Sequence, residues 1–132
     1  MHHITKVEYF FARWSISYGE LCAAFTDTLT ADAPWLAAPG IPPETHGAAE
    51  AIALLDQFRV GYNLETVQVR MVRIGQTGEV VWTERTDDLI DRDGTVIVSI
   101  PVAGVLTLND SGKITSYRDY WDMQELQSKA NT

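Results

Sequence analysis

The chain has 132 residues, 45% of them apolar, enough for one domain with a core that needs neither disulfide nor metal staples. A formal net charge of −8 argues against a nucleic-acid groove or an anionic membrane surface as partner, because phosphate binding draws its affinity from clustered Lys and Arg. Cys22 is the single cysteine, no apolar run reaches the roughly 18 residues of a membrane span, and Met1–Lys6 lacks a basic-then-apolar leader, so the expectation is a cytoplasmic protein without internal disulfides.

Val7, Phe10, Phe11 and Trp14 recur at helical spacing from Thr5 to about Ser15, and Leu21, Cys22, Phe25 and Leu29 repeat the pattern from Tyr18 to Leu29. Two short helices follow one another. Residues 31–45 hold four of the five prolines, which suits a short extended piece and then an ordered loop. Gly47 to Arg59, rich in alanine and leucine, reads as a third helix.

After Tyr62 four strand-like runs follow: Glu65 to Gly75, Val80 to Asp91, Thr95 to Asn109 and Lys113 to Met123. Short separators ending in Gly78, Gly94 and Gly112 imply antiparallel hairpins, with Asp91, Asp93 and Asp110 as turn formers. Pro101 interrupts the longest run, where a bulge or bend is expected. Val96, Val98, Ile100, Val102, Leu106 and Leu108 form a continuous apolar face. The sum is a single α+β domain over residues 1–132, with helices at about 5–59, a curved antiparallel meander wrapped around them at about 62–123, and a tail at 124–132 whose end is frayed from Gln127.

Strand alternation puts Val81, Thr83, Arg85, Asp87 and Leu89 on one face, and Thr115, Tyr117, Asp119, Trp121 and Met123 on another. If both faces meet in one pocket, Arg85, Asp87 and Asp119 form a cluster. Burying two carboxylates around one guanidinium is costly, so acid–base chemistry accounts for it more readily than stability does. The competing reading is an interior salt bridge that only fixes strand register. Trp35, Tyr117 and Trp121, with Leu89, Ile100 and Val102, would wall the pocket for a small hydrophobic substrate, while Trp14 reads as core. His2, His3 and His46 lack metal-ligand spacing, and no nucleotide loop or Ser/His/Asp order is present. Neither metal nor organic cofactor is expected. Trp82 and Tyr120, on the opposite face of the sheet, suit packing against a second copy, so a homodimer is expected.

The segments Thr83-Glu84-Arg85-Thr86-Asp87, Ala103-Gly104-Val105-Leu106-Thr107-Leu108 and Gly112 to Asp122 together resemble the limonene-1,2-epoxide hydrolases of the nuclear transport factor 2-like superfamily, which also holds SnoaL-like cyclases and non-catalytic members. The resemblance implies the cystatin-like α+β barrel and assigns roles. Asp119 is the base that takes a proton from water, Asp87 the acid that protonates the epoxide oxygen, and Arg85 the bridge between them. One position departs from the pattern: where these hydrolases carry a Tyr-x-Asn that holds the water, this chain has Trp35 and Ala37. An indole offers one donor and a methyl group offers nothing. Two enzymatic readings therefore stand side by side, a cofactor-independent epoxide hydrolase and a cofactor-free lyase, isomerase or cyclase for a bulkier aromatic, terpenoid or polyketide substrate. A third is a non-catalytic carrier of hydrophobic ligands. Tyr62-Asn63 is a weaker candidate for the missing pair.

Overall fold

The computed structural model describes residues 3–39 and 44–130, so His2 and the middle of the proline-rich loop lie outside the described residues. Chain order is α1 (His3–Trp14), α2 (Tyr18–Thr28), β1 (Pro34–Leu36), β2 (Thr45–His46), α3 (Gly47–Tyr62), β3 (Leu64–Thr77), β4 (Val80–Asp91), β5 (Val96–Leu108), β6 (Ile114–Tyr120) and α4 (Met123–Ala130). The helical spacing of α1 buries Val7, Phe10, Phe11 and Trp14 on one stripe. Ser17 starts α2 by accepting the Glu20 backbone N–H on its hydroxyl at 3.1 Å. At the head of α3 the Glu50 carboxylate accepts from His46 N at 2.9 Å. Gly47 there has φ +80°, and a Cβ would collide with the Ala31 carbonyl, so only glycine lets the chain enter α3 directly from β2.

The six strands form one sheet in the order β2-β1-β6-β5-β4-β3, and β3 to β6 are the expected antiparallel meander. The short piece at Pro34–Leu36 joins it parallel to β6, pairing Trp35 with Tyr117. At two hairpins a side-chain carbonyl or carboxylate holds the turn: Asp91 Oδ1 accepts from Asp93 N and Thr95 N, and Asn109 Oδ1 from Ser111 N and Lys113 N.

Four expectations need correction. No bulge occurs at Pro101, whose pairing with Thr86 continues an unbroken register. Strand β6 pairs with β5 only from Ala103 onward, so Pro101 lies where that edge of β5 has no ladder and a missing N–H is harmless. The irregularities sit elsewhere, between Leu89 and Ile90 and between Thr107 and Leu108. The first turns Val96 out of the apolar face, leaving it 50% exposed, and the second brings Ile114 rather than Thr115 inside. Finally, β6 stops at Tyr120 and the supposed tail is α4, whose Asp122 accepts from Gln124 N at 2.9 Å as its cap.

The core is in two parts. An aromatic cluster of Phe10, Phe11, Trp14, Phe25, Trp35 and Tyr117 joins α1 and α2 to β1 and β6. A smaller cluster joins Val98, Ile100 and Val102 of β5 to Leu126 of α4, with Phe58, Tyr62 and Trp121 against it. Between the two the packing does not close.

Candidate active site

That seam is a cavity with about 680 Å³ of empty space, part of it open to solvent. Its walls come from both clusters, among them Trp14, Leu21 and Trp35 on one side and Ile100, Val102 and Leu126 on the other. Among the described residues, the only carboxylates in its lining are Asp87 and Asp119.

Alternation in β4 turns Thr83, Arg85 and Asp87 inward, while alternation in β6 does the same for Tyr117 and Asp119. Strand β5 lies between them. Gly104 of β5 pairs with Thr83 on one side and with Asp119 on the other, and a Cβ on it would lie 2.6 Å from Arg85 Nη1 and 2.8 Å from Asp119 Oδ1. The absent side chain is the passage through which Arg85 crosses to Asp119.

Arg85 is almost fully buried and engages all of its donors. Nε donates to Asp87 Oδ1 at 2.9 Å and Nη2 to Asp87 Oδ2 at 3.2 Å; Nη1 donates to Asp119 Oδ1 at 3.0 Å and Nη2 to Asp119 Oδ2 at 2.8 Å. Nη1 also reaches Thr83 Oγ1 and Nη2 reaches Tyr117 Oη. The Phe11 ring covers the guanidinium, its centroid 4.3 Å from Cζ. One planar fork thus carries two bidentate carboxylates.

Burial raises both acids, and Arg85 opposes the shift in each. Burial pushes the Asp87 carboxyl up to about 6; Arg85 opposes the shift, and the charges of Asp119 and Asp88 add to it. Burial also raises Asp119, but there Arg85 and a hydrogen bond from Tyr117 favour the ionised form. Burial works against the charge on Arg85 as well, yet Asp119, Tyr117 and Asp87 more than offset it and hold the arginine protonated. Two carboxylates against one guanidinium leave a surplus negative charge if both ionise. A single proton shared by the pair removes it.

The structure brings together Arg85, Asp87 and Asp119, and it places Trp35, Leu89, Ile100, Val102 and Trp121 in the cavity wall. Tyr117 does not line the cavity. It is fully buried behind Asp119, stacked on Trp35 with ring centroids 5.9 Å apart, and acts on the carboxylate through its hydroxyl. Arg85 likewise sits behind the carboxylates, outside the main lining. Trp14, expected as core, is both core and wall. Tyr62 lines the cavity, whereas Asn63 is the left-handed C-cap of α3. Phe58, Leu55 and Leu126 were not anticipated, because α3 and α4 reach the site only through tertiary packing. Gly104 was legible in principle, since a glycine inside an apolar strand marks a close approach. Among the described residues, no three His, Cys, Asp or Glu side chains gather as a metal-ligand set.

Fold and site define a class: a nuclear transport factor 2-like α+β barrel whose apolar cavity holds a buried acid/arginine/acid set. Within that class the chain belongs to the limonene-1,2-epoxide hydrolase catalytic domain family, whose model matches residues 4–131. It is 43% identical over 70 residues to epoxide hydrolase EphG of Mycobacterium tuberculosis (strain ATCC 25618 / H37Rv), a match that spans 53% of this chain and 42% of that protein. Among solved structures it is similar to an M. tuberculosis LEH-like epoxide hydrolase, with 28% identity and TM-score 0.73 over 98% of this chain and 84% of the other. It also shares its fold with SalBIII, an epoxide hydrolase/cyclase-like enzyme with a role in pyran ring formation, at 22% identity and TM-score 0.71 over 93% and 92% of the two chains.

Proposed function

We propose that this protein opens small hydrophobic epoxides with water, by acid–base catalysis and without a cofactor. Asp119 takes a proton from water as its oxygen attacks an epoxide carbon. The carbon–oxygen bond breaks, and the ring oxygen takes the proton held by Asp87. The product is a diol, with Asp119 left protonated and Asp87 ionised. Passing that proton back to Asp87 restores the starting state, and Arg85, hydrogen-bonded to both acids throughout, keeps the surplus charge balanced.

The observation that carries this reading is the single guanidinium holding both carboxylates at 2.8–3.2 Å at an apolar cavity. A salt bridge that only fixed strand register would need one carboxylate, not two, and would gain nothing from facing empty space. Family membership and the likeness to two epoxide hydrolases support the same chemistry.

One observation favours a second reading, in which the same acid and base drive an intramolecular ring opening, an isomerisation or a lyase step. Trp35 and Ala37 supply no side-chain acceptor for an attacking water, and the Ala37 carbonyl already accepts the Trp121 indole N–H at 2.6 Å. Turnover of a panel of epoxides in heavy-oxygen water separates the two. Label in a diol supports hydrolysis; unlabelled product supports rearrangement or cleavage; no turnover of any substrate contradicts both.

We also infer a homodimer through the outer face of the sheet, where Val72, Trp82, Val105 and Tyr120 are 37–55% exposed. Light scattering on the purified chain should give twice 14.7 kDa, and Trp82→Lys should shift it toward the single-chain mass. A wild-type monomer contradicts the inference.

A further inference from the structure

The cavity has an inner end and a mouth, and the two are lined differently. Asp87 and Asp119 are only 6% and 4% exposed, and Trp14, Leu21, Trp35 and Leu64 in the same lining are buried as well. Among the described residues of the lining, only Phe58, Tyr62, Leu89 and Trp121 are partly exposed, which puts them where the cavity meets solvent. Three of these four are aromatic. Polar side chains sit at such a rim without cost, so large rings there leave apolar surface in water that a bound molecule can cover.

The three rings are gathered and held in place. Phe58, Tyr62 and Trp121 all pack against the one cluster of Val98, Ile100, Val102 and Leu126, so α3 and the turn after β6 present them at the same end of the cavity. Phe58 and Tyr62, one turn apart on α3, are stacked with ring centroids 6.2 Å apart and 26° between their planes. Trp121 is pinned by its indole N–H, which donates to the Ala37 carbonyl at 2.6 Å. Rings fixed before a ligand arrives lose little freedom when one binds.

We propose that Phe58, Tyr62 and Trp121 form an aryl-binding rim, and that the substrates of this site are epoxides bearing an aromatic ring. The inference deepens the acid–base reading above and rests on it. With the epoxide at the two buried acids, the part of the molecule left at the mouth is an aromatic ring rather than a saturated ring or an alkyl chain. Ring–ring pairing adds to the burial of area and depends on the π-system, so it separates an aryl ring from a saturated ring of similar outline.

The test measures binding apart from turnover, with 3-phenylpropan-1-ol and 3-cyclohexylpropan-1-ol titrated into the purified chain. Neither carries an epoxide, and they differ only in the ring. The cyclohexyl compound exposes more apolar surface, so a mouth that is merely greasy should bind it the more tightly. An aryl rim reverses the order: the phenyl compound should bind about three- to tenfold more tightly, and nuclear Overhauser contacts from its ring protons should reach Tyr62 and Trp121. Phe58→Leu, Tyr62→Leu and Trp121→Leu keep the mouth apolar and should each shrink that preference. Equal or tighter binding of the cyclohexyl compound, contacts from the phenyl ring to Trp14 and Trp35 in place of the rim, a preference that all three variants keep, or no binding of either compound at millimolar concentration would overturn the rim. If a variant does not fold, the wild-type comparison and its Overhauser contacts decide alone. Labelled diol without an aryl preference removes only this rim, whereas an aryl preference without labelled diol removes only the hydrolysis.

Discussion

Tyr117 Oη donates to Asp119 Oδ2 at 2.6 Å, while Asp87, held by the same arginine, receives no hydroxyl among the described residues. In the proposed mechanism this asymmetry puts the shared proton on Asp87, because a donor stabilises the ionised carboxylate it faces. Tyr117→Phe removes the hydroxyl and keeps the ring in place against Phe10 and Trp35. Asp119 then becomes harder to ionise. At acid pH kcat/KM should fall about tenfold, with a smaller loss at neutral pH, in line with a hydrogen bond to a charged group. An unchanged pH profile would remove Tyr117 from the mechanism.

The raised Asp87 carboxyl affects both activity and stability. An acid at about 6 loses its proton above that pH, so kcat/KM should decline as pH rises through 6. The stability sign follows from the same shift. Between the ordinary 3.8 and about 6 the unfolded chain has released this proton while the folded chain keeps it, so stability falls as pH rises across that window. The loss is about 3 kcal/mol at most. Asp87→Asn should abolish turnover and flatten this part of the stability curve in urea titrations at pH 4 and pH 7. Retained activity, or an unchanged slope, would contradict the assignment.

Among the described residues, Arg85 is the only cation in contact with either buried carboxylate. Arg85→Met leaves two acids facing each other in an apolar site, and the expected destabilisation is about 3–5 kcal/mol at pH 7. Protonating both acids relieves most of it, so the Tm deficit should shrink as pH drops to 4. A deficit that is the same at both pH values would mean that lost packing, not unpaired charge, is responsible.

Gly104→Ala probes the passage across β5. The added methyl would meet Arg85 Nη1, Asp119 Oδ1 and Thr83 Oγ1 at 2.6–2.8 Å, so the cluster must shift. The expected cost is about 1–3 kcal/mol of stability together with a large loss of kcat. Full activity in a folded variant would show that the geometry of the cluster does not matter for turnover.

The meander and its inward faces were legible because strand periodicity survives in β4 and in β6 from Tyr117 on, which puts Arg85, Asp87 and Asp119 on faces that can meet. Periodicity fails where a strand slips by one residue. The irregularity at Leu89/Ile90 expels Val96, and nothing local in the sequence marks that position. Helix α4 was readable and missed: Asp122, two residues of spacing and Glu125 form a capping pattern that outweighs the polar composition of the tail. The division of Trp35, Tyr117 and Trp121 into wall, support and wall was not readable, since it depends on β1 joining β6 in parallel, a pairing between distant segments.

The most direct test is the order in which the two acids lose their protons. Carbon-13 NMR of the aspartate carboxyl carbons, assigned with Asp87→Asn and Asp119→Asn, follows each through a pH titration. The expected result is Asp87 titrating near 6, with Asp119, which accepts the Tyr117 hydroxyl as well as Arg85, losing its proton first. Asp87 ionised while Asp119 is still protonated, or both ionised together near the ordinary 3.8, would contradict a proton held on Asp87 beside a basic Asp119.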